Sequence, residues 1–112
     1  MLLPNFEFAV IGDEKLRDYC LNPEHPMGKH KAKVFLRKLN LTQSDAQLLK
    51  DLILKGISVI ECVESESSDF GRRFTVDFIL VNFDKEALVR TSWIIKTEEF
   101  IPRLTSCYVI EK

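Results

Sequence analysis

Two kinds of hydrophobic spacing divide the chain near residue 56. Before it, apolar positions recur every three or four residues, the period of an amphipathic helix. After it, apolar and polar residues alternate, the period of a half-buried strand. Asn5 to Ile11 reads as a short extended arm. Asp13 then caps a short helix with Leu16, Tyr19 and Cys20 at helical spacing, and Asn22-Pro23 stops it, because the residue before a proline avoids the helical region. The turn Pro26–Gly28 leads into a second helix that runs to about Leu39, with Ala32, Phe35, Leu36 and Leu39 on its apolar face and His30, Lys33 and Arg37 on a polar face. Thr42 followed by Asp45 forms a capping-box pattern. It opens a third helix, with Ala46, Leu49, Leu52 and Ile53 as the buried stripe and Gly56 as the stop.

Beyond Gly56 the alternation predicts four strands. Ile57–Val63 is the first, followed by a polar serine-rich loop and a turn at Gly71. Arg72–Val81 is the second, with Phe74, Val76, Phe78 and Leu80 on one face and Arg73, Thr75 and Asp77 on the other. Asn82–Lys85 is hairpin material, Ala87–Ile95 the third strand and Arg103–Ile110 the fourth. Short links between consecutive strands predict an antiparallel meander. The expected architecture is a single α+β domain over residues 1–112, with N-terminal helices packed on one face of a four-stranded, mainly antiparallel sheet. Val76, Phe78, Phe35, Leu49 and Leu52 are the expected core.

Composition narrows the function classes. The net charge of −1 supplies no global basic field for long nucleic acids, so any such contact must be local. Three cysteines, Cys20, Cys62 and Cys107, are widely spaced, which predicts reduced thiols rather than a disulfide framework or zinc knuckle. No run approaches the roughly 18 apolar residues of a membrane helix. The N-terminus lacks a basic leader, so the expectation is a cytoplasmic protein with no signal peptide and no membrane contact.

Local charge is more telling. Lys29-His30-Lys31-Ala32-Lys33 places three lysines and one of the two histidines within five residues, at a helix start. Free N–H groups and the helix dipole there favour an anion, phosphate above all. The alternative is a solvated lysine face. His30 in the first turn is a candidate general base, kept neutral by the dipole. His25, between Glu24 and Pro26, reads as structural. Arg90 lies inside an apolar strand and requires either a carboxylate such as Asp77 or a ligand phosphate. Ser106 and Tyr108, two apart, project from one strand face and can donate to phosphate oxygens. Trp93 reads as core. No glycine-rich phosphate loop, nucleophile elbow or metal-ligand spacing is present, so no metal and no cofactor are expected.

Taken in order, Leu21-Asn22-Pro23-Glu24-His25-Pro26 with GKHKAKVF, Asp69-Phe70-Gly71-Arg72-Arg73-Phe74 with Val76-Asp77-Phe78, Val89-Arg90-Thr91-Ser92-Trp93-Ile94-Ile95, and Pro102-Arg103-Leu104-Thr105-Ser106-Cys107-Tyr108 resemble an uncharacterised bacterial domain family. Its members stand alone, notably in cyanobacteria, or form the C-terminal tips of polymorphic toxins. The fold and the Ser-x-Tyr ending are more distantly similar to the barnase–EndoU–colicin–RelE superfamily of metal-independent ribonucleases. That resemblance implies His30, Lys31, Arg90, Ser106 and Tyr108 as catalytic residues and RNA as partner. Gly28, Lys29, Lys33 and Arg103 complete the expected phosphate contacts. Enzymes of the EndoU type use two histidines, and the second could only be His25. The alternatives are a non-catalytic interaction module of a small bacterial operon, partnered by a cognate small protein encoded nearby, and a phosphate- or nucleotide-binding domain.

Overall fold

The computed structural model describes residues 1–111. After a 3-10 turn at Phe6–Phe8, the first helix (α1) is a single α turn, Asp13–Lys15, that widens into a π turn, Leu16–Cys20. Gly12, not Asp13, occupies the cap position. Helix α2 covers Lys29–Leu39 and ends at Asn40 in the left-handed region. A 3-10 turn at Gln43–Asp45 leads directly into α3, Ala46–Ile57. The expected capping box is present: the Thr42 amide donates to Asp45 Oδ2 at 2.8 Å. The strands are β1 (Val63–Glu64), β2 (Gly71–Asn82), β3 (Lys85–Lys96) and β4 (Arg103–Val109). They form one antiparallel sheet in the order β1-β2-β3-β4, with the helices preceding it in the chain, as the hydrophobic periods predict.

Three boundaries differ from the sequence reading. The first strand shrinks to Val63–Glu64, because α3 continues through Gly56 to Ile57 and turns occupy the next residues. Gly56 does not stop the helix. It is buried beneath Phe78, where an added Cβ would lie 2.9 Å from the ring. The arm at residues 5–11 contains a 3-10 turn, hydrogen-bonds to the sheet through the parallel bridge Val10–Arg103, and buries Ile11 in the core.

The core lies between α1–α3 and one face of the sheet. Phe74, Val76, Phe78 and Leu80 of β2 and Val89 and Trp93 of β3 meet Leu16, Phe35, Leu39, Leu49 and Ile53. All three cysteines are buried here as free thiols. The neighbouring Cys20 sulfur and complete burial push the Cys107 thiol well above its ordinary range, so it remains a small protonated hydrophobe. Leu52 is half-buried and Leu36 is 50% exposed, since α2 and α3 centre their buried faces on Phe35–Leu39 and Leu49–Ile53.

Thr91 is a fully buried polar side chain on the inner face. Its hydroxyl donates to the Val76 carbonyl at 2.8 Å and accepts from the Trp93 indole N–H at 2.9 Å. Thr91→Val keeps the shape but leaves the indole donor unpaired in the core. We expect destabilisation of about 1–3 kcal/mol, read by chemical denaturation. A change of a few tenths would mean that the indole finds another partner.

Candidate functional site

The outer sheet face carries the polar half of the strand alternation. Because β2, β3 and β4 pair in register, its side chains form cross-strand rows. Asp77, Arg90 and Tyr108 make one row, and Thr75, Ser92 and Ser106 make the next. A bulge between Ser92 and Trp93 inserts Thr105 as the extra residue of β4 and keeps Arg103 opposite Ile94 on this face.

Arg90 anchors the first row. Its Nε donates to Asp77 Oδ1 at 2.9 Å and its Nη2 to Asp77 Oδ2 at 2.8 Å, a bidentate pair with the carboxylate that was one of its two expected partners. Asp77 first, and the Tyr108 hydroxyl next, hold the guanidinium firmly in its charged form. Both partners are partly solvent-exposed, so solvent screening leaves the pair little weight in stability. Its main consequence is orientation: Asp77 uses two of the five guanidinium N–H groups and leaves the others to Tyr108 and a ligand.

Lys31 reaches the same row from α2. Its Nζ lies 5.4 Å from the Tyr108 ring centroid and 4.9 Å from the Tyr19 ring centroid, so the ammonium is held between two aromatic rings. Tyr19 belongs to the π turn of α1, and its ring lies 4.5 Å from the ring of His25. Gly28 allows this approach, since a Cβ there would run into the Tyr19 carbonyl. The contacts therefore run unbroken from His25 through Tyr19, Lys31, Tyr108 and Arg90 to Asp77.

His25 has a defined orientation. Its Nδ1 accepts from the backbone N–H of Met27 at 3.0 Å and of Gly28 at 2.9 Å. A nitrogen that accepts cannot carry the proton, so in the neutral ring the proton sits on Nε2. The His25 carbonyl also accepts from the Lys29 amide at 3.0 Å. His25 thus sets the entry of the chain into α2, as its structural reading anticipated, and points one nitrogen away from the backbone.

His30 lies elsewhere. Successive residues of a helix are about 100° apart, and Lys31 and His30 diverge accordingly. His30, Lys29 and Lys33 line a groove of ≈ 790 Å³ with Leu36, Leu41 and Gln43 among its other walls. Arg103 sits at the start of β4, where its Nε donates to Glu99 Oε1 at 3.1 Å. The predicted residues therefore fall into two groups, with Arg103 in neither of them. Lys31, Arg90 and Tyr108 meet at the β4 edge, with Ser106 on the adjoining row of the same face. Gly28 lies against the Tyr19 carbonyl. Lys29, His30 and Lys33 share the α2 groove.

Sequence reasoning missed Tyr19, Thr75 and Ser92. The signal for Tyr19 was a polar-tipped aromatic in a stripe otherwise made of Leu16 and Cys20. The signal for the hydroxyls was their phase, Thr75 two before Asp77 and Ser92 two after Arg90. Among the described residues, no group of three or more His, Cys, Asp or Glu side chains is arranged to hold a metal ion. No described helix is long and apolar enough to cross a membrane.

No curated protein matches the chain. Among solved structures, a chain of a contact-dependent growth inhibition toxin–immunity protein complex from Klebsiella pneumoniae 342 has the same fold, with a TM-score of 0.69 at 9% identity over 90% of this chain and 99% of the other. The family model described as a domain of unknown function, DUF6883, matches residues 2–111, nearly the whole sequence. The chain belongs to that family.

Proposed function

We propose that this chain is a toxin-type domain that cleaves RNA without a metal ion, by attack of a 2′-hydroxyl on the adjacent phosphate. The observation that carries the reading is the meeting of Lys31, Arg90 and Tyr108 at one edge of a polar sheet face. A phosphate placed there has two fixed cations for its non-bridging oxygens and hydroxyl donors in Tyr108 and Ser106. The attacking 2′ oxygen forms a bond to phosphorus, and the bond to the 5′ oxygen breaks. A base removes the 2′ proton and an acid supplies one to the departing oxygen. Lys31 and Arg90 neutralise the charge that builds up between these steps. The likeness to a chain from a toxin–immunity protein complex supports a place in such a system.

A histidine at the start of α2 is the proposed acid–base group. His30, the candidate from the sequence, lines the α2 groove and would have to reach the phosphate from there, whereas His25 is the one whose contacts lead to Lys31. The overall charge of −1 favours a second reading, a non-catalytic partner module that retains the fold, since nucleases commonly carry a net positive charge.

The test is direct. Purified protein incubated with single-stranded RNA in EDTA is expected to cleave it and to leave the matching DNA intact, because only RNA carries the nucleophile. Tyr108→Phe should slow cleavage while Lys31 and Arg90 keep binding the phosphate. Intact RNA under all conditions would leave the partner-module reading in its place.

A further inference from the structure

The two edges of the sheet differ. On the β1 side, β1 pairs only with Phe74 and Thr75, so β2 has no neighbouring strand from Val76 to Asn82 among the described residues. The phase of the ladder says which groups this leaves open. The Ile110 N–H donates to the Leu88 carbonyl, so Leu88 and Arg90 face β4, while Ala87, Val89 and Thr91 face β2. Their opposite residues Leu80, Phe78 and Val76 face back toward β3. Asp77, Ile79 and Val81 therefore direct their N–H and C=O groups out of the free edge. The Ser65 N–H donating to the Arg73 carbonyl fits the same phase. No described residue pairs with these six groups.

This edge is also apolar. Ile79 is 58% exposed and Val81 55%. A groove of ≈ 410 Å³ runs between the edge and the end of α3, where Leu52, Val59 and Ile60 form the opposite wall. Natural sheets protect such edges with lysine, proline, bulges or a covering element. Here the only charge between Val76 and Asn82 is Asp77, and its carboxylate is committed to Arg90. Open backbone groups beside apolar side chains fit an added strand.

We infer that the added strand is β2 of a second copy, paired antiparallel about a two-fold axis at Ile79. The free stretch is its own complement. It is bounded at one end by Thr75, which β1 already occupies, and at the other by Phe83, where a φ of 56° turns the chain away. Residues 76–82 are centred on Ile79. In that register Ile79 meets its own copy, Phe78 meets Leu80 and Asp77 meets Val81. The outward-facing residues Asp77, Ile79 and Val81 all oppose one another, so the open donors and acceptors are satisfied together. No like charges face each other. Phe83, 92% exposed, comes beside Thr75 of the second copy, where the exposed Val63 pairs. The result is one continuous sheet of eight strands with both polar faces free.

Sedimentation equilibrium of the full chain is expected to give a concentration-dependent mass approaching twice the 13.0 kDa of the chain. Ile79→Lys places two ammonium groups on the axis and should return the protein to monomer with its circular dichroism unchanged. The register has its own test. Val81→Glu brings a carboxylate opposite Asp77 twice per dimer and should raise the dissociation constant roughly tenfold, whereas Val81→Lys should preserve the dimer. A wild type that stays monomeric would overturn the inference, as would a dimer that Ile79→Lys does not dissociate. Equal behaviour of Val81→Glu and Val81→Lys would overturn the register.

Discussion

Lys31→Ala is expected to lower RNA cleavage by about 10²–10³-fold, the usual effect of removing one fixed donor from a developing oxyanion. The size follows from how Lys31 is held. Its ammonium lies between the Tyr19 and Tyr108 rings, so its position is set before any substrate arrives. A freely moving surface lysine would give a much smaller loss. The substitution leaves the core untouched, and thermal unfolding should move little. His30→Ala and His25→Ala then separate the two histidines. The acid–base residue should cost about 10²–10⁴-fold when removed. His25→Ala also strips the Met27 and Gly28 amides of their acceptor, so its unfolding midpoint should fall as well, and His25→Asn restores an acceptor without restoring acid–base chemistry. Unchanged rates in Lys31→Ala and in both histidine variants would place the chemistry elsewhere.

Trp93→Ala is expected to destabilise the fold by about 3–5 kcal/mol, a large part of the 5–15 kcal/mol typical of a domain. Trp93 is 1% exposed and is the largest of the fully buried side chains. It stands at the β3–β4 bulge, where Ser92 pairs with Ser106 but Trp93 pairs with Leu104. Its removal opens a large cavity and also withdraws the indole donor from Thr91. Denaturant titration with an unchanged slope would measure the loss. A cost below about 1 kcal/mol would mean that β4 collapses onto the vacated space, against the close packing of the core.

These two predictions rest on parts of the molecule that were unequally visible in the sequence. The inner row of Phe74, Val76, Phe78 and Leu80 was legible because alternation has only one way to face a core. The Asp77–Arg90 pair was legible only as one of two possibilities, since an arginine among apolar strand neighbours demands either a carboxylate or a ligand phosphate. The span Ile57–Val63 was misread because a short apolar run has no period of its own. Gly56 looked like a helix stop, while its real constraint is the Phe78 ring from β2, which no local pattern reveals.

The candidate site was legible by residue type and not by assembly. Lys29, His30, Lys31 and Lys33 share one helix start, but which of them meets β4 depends on the rotation of α2 about its axis. Burying Ala32, Phe35 and Leu39 turns Lys31 toward Tyr108 and leaves His30 and Lys33 beside the half-exposed Leu36. The sequence reading places Leu36 on the apolar face of this helix, and that one residue is enough to tilt the expected face. Tyr19 entered the cluster through a π turn, which shifts residues relative to an ordinary helix and gives no sequence period to follow.

The central claim is that phosphate is received at the β4 edge, between Lys31, Arg90 and Tyr108. The most direct measurement is an NMR titration with a single-stranded DNA oligonucleotide, which presents the phosphates and lacks the nucleophile. Shifts centred on Lys31, Arg90, Ser106 and Tyr108, lost in Lys31→Ala, are the predicted result. Shifts confined to Lys29, His30 and Lys33 in the α2 groove, or no shifts at all, would contradict it.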